Sequence, residues 1–333
     1  FAMQQGFVWI RFPLYAAAAQ VWLAKDRDIR IVMLLSILIG ALIMCSILTA
    51  ELILEPKFRL MWPYNDLVPG TYLAKTCLPL VCIFVALSTS IFKKITVIYL
   101  LLISIIISIT ILTGERTNTL IILCSSLLSF LFWKKRFFSS VIFLCLILSA
   151  LLITIKVKPR LHQHFIQFQN RVINLDDPSN EYWGAWRGGI QQFSNTPFFG
   201  NGPSMTRKTC TNLEDPISNP DQIAKKPQKL YWLPGVNYCG NHPHNFYIQM
   251  LAETGIFGFI FGVGMIITII LSCYKERKLY PLCPMISLSF IVPFAIFFPF
   301  QQFGSFFGQW GNLFLWFSVG FSISQVQSWR LKN

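Results

Sequence analysis

Residues 242–278 read HPHNFYIQMLAETGIFGFIFGVGMIITIILSCYKERK. A polar knot, His242-Pro243-His244-Asn245, runs directly into an apolar stretch that ends in the cations of KERK. An uninterrupted apolar run of this length is a helix crossing a bilayer, which needs about 20 residues. Asn245, just before the first apolar residue Phe246, is placed to cap that helix, and Pro243 interrupts the chain ahead of it. One carboxylate, Glu253, sits inside the run.

Working outward, the same pattern recurs. IRIVMLLSILIGALIMCSILTA (29–50) and ITVIYLLLISIIISITILTG (95–114) are again of spanning length. The chain of 333 residues is 54% hydrophobic and 15% aromatic, with 31 Phe, and only 13% charged. A soluble domain carries roughly 25% charged residues, so the composition excludes one. The expected fold class is an all-α polytopic membrane protein. Nine spans are read, near 7–24, 29–50, 72–92, 95–113, 117–133, 138–155, 245–272, 279–299 and 311–326. The chain starts at Phe1, so further spans are expected upstream and no cleavable signal is read.

The net charge of +14 invites a nucleic-acid reading. In a membrane chain it is better read as topology, because basic residues collect in cytoplasmic loops. Alternate connections read KDRDIR, KK, KKR, KERK and the tail RLK. The opposite ones read ELILEPKFRLMWPYNDLVPGTYLAK, GERT, the stretch 156–243, and the uncharged QQFGSFFGQWGN. The long stretch then faces outward, into a periplasm. The division is 1–155 (helices 1–6, with outer loop 51–71), 156–243 (periplasmic loop domain) and 244–333 (helices 7–9). The expected location is a bacterial inner membrane. No nucleic-acid partner is expected, and membrane lipids surround the chain.

Within the loop domain, EYWGAWRGGIQQF (181–193) spaces Tyr182, Trp186 and Ile190 as one helical face, with Trp183 adjacent. This predicts a short amphipathic helix lying on the leaflet. NTPFFGNGPS is a turn-rich stop. Seven of the nine Cys lie in or beside apolar runs, whereas Cys210 and Cys239 lie in the loop. An oxidising compartment would permit a disulfide between those two; a pair of unbonded thiols is the other reading.

Several groups can carry chemistry. Arg116, in LTGERTNTL, stands at the mouth of a span. It either snorkels or pairs with Glu115, or it forks onto the oxygens of an anionic ligand. Arg187 is either a surface cation or a second such clamp among Tyr182, Trp183 and Trp186. His244 opens a helix whose positive N-terminal end disfavours imidazolium, so a neutral ring there can act as a general base. Glu253 lies nine residues on, on roughly the opposite azimuth, and is read as tying its helix to a neighbour or to the loop. The spacing of TGIFGFIFGVG suggests close helix approach through small residues. His162-Gln163-His164 with His242-Pro243-His244 offers four imidazoles to a zinc ion, a rival reading without a completing Cys or acid.

HPHNFYIQMLAETGIFG closely resembles the signature of the O-antigen ligase and O-antigen polymerase superfamily, a His-Asn followed by an amphipathic run and E-x-G-x-x-G. GERTNTL is similar to that family's arginine at the outer end of a middle span. WRGGIQQFSNTPFFGNGPSM resembles its Trp-centred helix and turn, and RLMWPYNDLVPGTYLAK resembles an earlier outer loop. The family often places an arginine about four residues before the loop Trp; here that position is Tyr182, and Arg187 takes the role. The resemblance implies a GT-C-like, inverting, metal-independent glycosyltransferase without cofactor. Its donor is a glycan on undecaprenyl diphosphate. Its acceptor is lipid A-core for a ligase of lipopolysaccharide biosynthesis, or a second lipid-linked glycan for a polymerase. His244 becomes the base and Arg116 and Arg187 the diphosphate clamps, with Asn245, Glu253 and His242 in support. A lipid-glycan transporter is the non-enzyme alternative. Such a protein would carry ionisable residues in several spans, whereas only Arg11 and Glu253 lie clearly inside them here.

Overall fold

The computed structural model describes residues 2–55, 59–65, 68–76, 78, 93–131, 181–206, 242–280, 284–299 and 305–332, with isolated positions at 145, 147–149, 152, 163 and 166–167. Among them the regular structure is entirely helical: α1 (Ala2–Lys25), α2 (Arg27–Leu54), α3 (Val68–Thr71), a π-turn (Tyr72–Thr76), α4 (Lys93–Leu112), α5 (Arg116–Leu131), α6 (Glu181–Asn195), α7 (Phe246–Lys275), a 3₁₀ turn (Glu276–Leu279), α8 (Pro284–Ile296) and α9 (Gln309–Arg330). Among the described residues, three apolar stretches are long enough to cross a membrane: Ala2–Lys25, Arg27–Leu54 and Phe246–Leu279. Three shorter apolar helices run Leu101–Leu112, Arg116–Leu128 and Met285–Ile296. The protein is a helical membrane protein. Seven of the nine expected spans overlap described helices. Most of 72–92 and 138–155 falls outside the described residues, and the start of the former, Tyr72–Thr76, is π-helical.

The joint between α1 and α2 shows how a polar connection ends one helix and begins the next. Asp26 caps α2, its carboxylate accepting from Asp28 N at 2.9 Å and Ile29 N at 3.1 Å. Arg30 reaches back to the last carbonyls of α1, donating to Leu23 O and, at 3.0 Å, to Ala24 O. These carbonyls have no partner within their own helix, so the guanidinium closes the end that α1 leaves open.

The chain divides into two compact units, each assembled from three stretches. One holds 1–11, 168–267 and 299–312; the other holds 12–167, 268–298 and 313–333. In the second unit, α2 packs on α4, α4 on α5, and α8 on α5. Its core is aliphatic, with Ala41, Leu48, Ile103, Ile107 and Ile122 at zero or near-zero exposure. α9 comes close to α1 at Gly320, where an added Cβ would lie 2.7 Å from Ala16 O. The buried Ser322 and Ser324 of α9 return their hydroxyls to Ser318 O and Phe321 O, so neither hydroxyl is stranded in the apolar packing.

Candidate active site

The first unit is built around the N-terminal half of α7. Asn245 does cap that helix: its Oδ1 accepts from Tyr247 N at 2.9 Å and Ile248 N at 3.2 Å. Its amide also donates to Pro299 O at 2.8 Å. One turn on, Gln249 donates to Ser305 Oγ (2.8 Å) and accepts from Phe306 N (2.7 Å). A further turn on, Glu253 accepts from Ser204 N (2.7 Å), Thr206 Oγ1 (2.5 Å), Thr206 N (3.3 Å) and Gln249 Nε2 (3.1 Å). Residues four apart share a helix face. Asn245, Gln249 and Glu253 therefore form one buried polar stripe, each stitching a different loop residue to α7. Phe306 is held further by Trp9, whose indole donates to its carbonyl at 2.9 Å.

Just past Glu253 the helix breaks. Gly255 has φ 64° and ψ −170°, a conformation open essentially to glycine alone. The break frees two carbonyls, those of Ala252 and Glu253, and two N–H groups, those of Ile256 and Phe257. The loop 197–202 supplies all four partners. Asn201 N donates to Ala252 O (3.1 Å) and Gly202 N to Glu253 O (2.7 Å), while Ile256 N donates to Pro197 O (2.8 Å) and Phe257 N to Phe198 O (3.5 Å). Backbone irregularity in a spanning segment survives only when its polar groups find such partners. Gly200, at φ 68°, lets the loop approach: a Cβ there would sit 2.4 Å from Glu253 C. This corrects the expectation drawn from the glycine spacing. Gly255 does not serve a helix–helix seam; it admits a loop into the helix.

α6 forms as its pattern predicts, but its faces differ from the expected ones. Ala185, Gly188, Gly189 and Gln192 are buried, Trp186 is half-buried and Ile190 is 47% exposed. The reason lies in size. Gly189 sits against the start of α7, where an added Cβ would be 2.5 Å from Ile248 and 3.0 Å from Pro243. A small-residue face packs closest to the polar knot, and the larger Ile190 turns outward. Arg187 is on the exposed side of α6. The side chains of Tyr182 and Trp183 lie outside the described residues.

The knot itself is tight. Pro243 and Asn245 are buried and His242 and His244 half-buried. The two imidazoles lie 4.2 Å apart, centroid to centroid, tilted by 55°. His244 has φ 54°, a left-handed turn that sends the chain from the knot into α7. Burial, and then the neighbouring charge of His244, push His242 down to about 4, so it is a neutral ring near pH 7.

In the second unit, Arg116 is the first residue of α5 and is half-buried. Glu115 before it is engaged elsewhere. Its Oε1 accepts from Arg59 Nη2 at 2.8 Å and its Oε2 from Asn118 Nδ2 at 3.2 Å. Burial raises the Glu115 carboxyl above the usual range, opposed by Arg59, then Lys75, and least by Arg116. Arg59 and Gln249 were missed in the sequence. The second was visible as one member of an i, i+4, i+8 polar stripe in an apolar helix. The first pairs across more than fifty residues and leaves no local pattern. Cys210, Cys239, His162 and His164 lie outside the described residues, so neither the disulfide nor the four-imidazole reading is placed.

These observations define a class: a multi-pass helical membrane protein whose polar groups cluster at helix ends and at one helix break. The model of the O-antigen ligase family matches residues 99–263, a stretch that includes Arg116, Arg187, His244 and Glu253. That stretch is similar to the O-antigen ligase family and supports a place for the chain there. No curated protein matches the chain.

Proposed function

We propose that this protein is a GT-C-like, nine-span glycosyltransferase of the bacterial inner membrane, with residues 156–243 in the periplasm. It transfers a glycan from undecaprenyl diphosphate to lipid A-core, with inversion at the anomeric carbon and without a metal. His244 takes the proton of the acceptor hydroxyl. The hydroxyl oxygen bonds to the anomeric carbon, and the bond from that carbon to the diphosphate oxygen breaks. Arg116 and Arg187 take up the charge that appears on the departing diphosphate, the stabilisation such a transfer needs.

The observation that carries this reading is the knot ahead of α7. His244 stands beside a second imidazole, 4.2 Å away centroid to centroid, at the N-terminus of α7, whose positive end disfavours a cation. Arg116 supports it from the second unit. A cation at the first position of α5 is set against the helix dipole, so the helix gains nothing from it. A bound anion would gain from both the guanidinium and the adjoining N–H groups.

The test is transfer by purified protein from a defined undecaprenyl diphosphate-linked oligosaccharide to lipid A-core, in the presence of a chelator. His244→Ala should lower the rate by about 10²–10⁴-fold, the span of a positioned general base, with protein level unchanged. Wild-type transfer by that variant removes the base. Product formed only between two lipid-linked oligosaccharides would make the protein a polymerase, and translocation without bond formation would make it a transporter.

A further inference from the structure

α7 changes character at its break. Ahead of Gly255 it carries the buried polar stripe Asn245, Gln249 and Glu253, whereas residues 256–274 hold no Asp, Glu, Lys, Arg or His. At 1.5 Å per residue that uncharged stretch is about 28 Å long, which matches a hydrocarbon core of about 30 Å. It is followed by the cations Lys275, Arg277 and Lys278. The span therefore needs nothing ahead of the break to cross a bilayer, and the break falls where the hydrocarbon ends.

The loop that enters the break carries two large apolar side chains at its tip. Phe198 and Phe199 are exposed, and Phe199, at 78%, is as open as Phe261 of the span, at 77%. Both rings lie against Phe257, with centroids 6.2 and 5.6 Å from it. Phe257, Ile260 and Phe261 are themselves exposed and, being three and four residues apart, share one helix face. The loop thus adds two rings to the N-terminal end of the open face of the span. A contiguous exposed apolar face marks a contact with another apolar body. Continuity with a spanning helix says that this body is lipid.

The backbone of the loop agrees. Irregular chain survives at the edge of the hydrocarbon when its polar groups are spent within the protein. Pro197 O and Phe198 O accept from Ile256 N and Phe257 N, and Asn201 N and Gly202 N donate to Ala252 O and Glu253 O. Gly200 N donates to Thr196 O at 3.0 Å, and Pro197 has no N–H to strand.

We propose that Phe198 and Phe199 form a membrane wedge: their rings insert among the acyl chains of the leaflet on their side, and the hydrocarbon begins at the Gly255 break. The partner is the lipid surface. The wedge fixes the depth of the polar stripe and of the knot ahead of it, which stand beyond the acyl chains. The inference rests on α7 as a span and on no residue assigned to the transfer reaction.

The experiment places a single trifluoromethyl-phenylalanine at position 199 of the full chain in phosphatidylglycerol–phosphatidylethanolamine nanodiscs. Its fluorine relaxation is read with dissolved oxygen, which concentrates in hydrocarbon, and with a nickel chelate, which stays in water. The same label at Ile267, exposed further along the span, and at Lys332, exposed at the end of the chain, gives the two references. The label at 199 should lose most of the chelate effect seen at 332 and show an oxygen effect between those at 332 and 267. If the label at 199 prevents folding, position 198 takes its place. A chelate effect as large as at 332 overturns the wedge, because the rings then stand in water. Protection from both agents overturns it too, because protein, a second copy or another part of this chain, then covers the rings. An oxygen effect equal to that at 267 overturns the placing of the hydrocarbon edge at Gly255.

Discussion

One carboxylate in each unit is satisfied by a different means. In the first, the stripe Asn245, Gln249 and Glu253 meets mostly neutral partners, namely backbone N–H and C=O groups and the hydroxyls of Ser305 and Thr206. In the second, Glu115 meets a charge from a distant segment, Arg59. Two buried carboxylates thus serve different ends. Glu253 is a knot that fixes loop 203–206 against α7, with four donors converging on it. Glu115 is a counter-charge, and what matters about it is which cation it holds. Changes at the first should be repaid in folding, and changes at the second in electrostatics.

The sharpest way to break that contrast is at the helix interruption. Gly255→Ala should be the most damaging single methyl in the protein. Its φ and ψ lie in a region costing about 1–3 kcal/mol for other residues. The added Cβ would also lie 2.3 Å from Phe198 C and 2.5 Å from Phe199 N, both backbone atoms that cannot swing aside. Four backbone hydrogen bonds between loop 197–202 and α7 depend on that approach. The expected outcome is loss of monodisperse protein in detergent, or protease cleavage within 196–206. An alanine variant as stable as wild type would mean that the loop is not seated in the break.

Part of this was legible in the sequence. Apolar runs are long-range averages, so seven of the nine expected spans overlap described helices, and Asn245 announces itself by its place before Phe246. The break at Gly255 was not legible, because glycine spacing in an apolar run serves equally for a helix seam and for a loop inserted into a helix. Only the second use needs φ above zero, and backbone angles leave no trace in composition. The buried face of α6 was misassigned for a related reason. Large apolar residues mark a buried face when the neighbour is a flat core. Here the neighbour is the Pro243 turn, and closeness selects Gly188 and Gly189 over Ile190. Arg187 was chosen by its place in a motif, and the structure puts it on the exposed side of α6, so its role rests on the transfer assay. Arg59 could not have been found locally, since its partners lie at 113–115.

A milder substitution sharpens the comparison of the two carboxylates. Glu253→Gln keeps shape but replaces one acceptor oxygen by a donor NH₂, which then faces donors already converging on the site. Leaving such groups unsatisfied costs about 1–3 kcal/mol. The variant should melt several degrees lower, a shift of this order in free energy being readable as a change of Tm. Glu115→Gln likewise turns one acceptor towards a donor, Arg59 or Asn118, and it also removes the charge that Arg59 meets, so its loss of Tm should shrink in an Arg59→Gln background. A loss that is unchanged in that background would erase the distinction between knot and counter-charge.

The smallest effect is expected nine residues beyond the break, and it controls for everything above. Gly264 lies in the same helix and the same run of spaced glycines, yet nothing stands within 4 Å of an added Cβ. Its φ is not positive, so alanine adopts the conformation without strain. In a helix interior alanine is favoured over glycine by about 1 kcal/mol, because the unfolded chain has less freedom to lose. Gly264→Ala should therefore leave transfer unchanged and leave Tm equal or slightly raised. If it were as damaging as Gly255→Ala, the glycine run would act as one packed seam after all. The loop-in-helix account of the E-x-G-x-x-G stretch would then give way to the helix-approach account that the spacing first suggested.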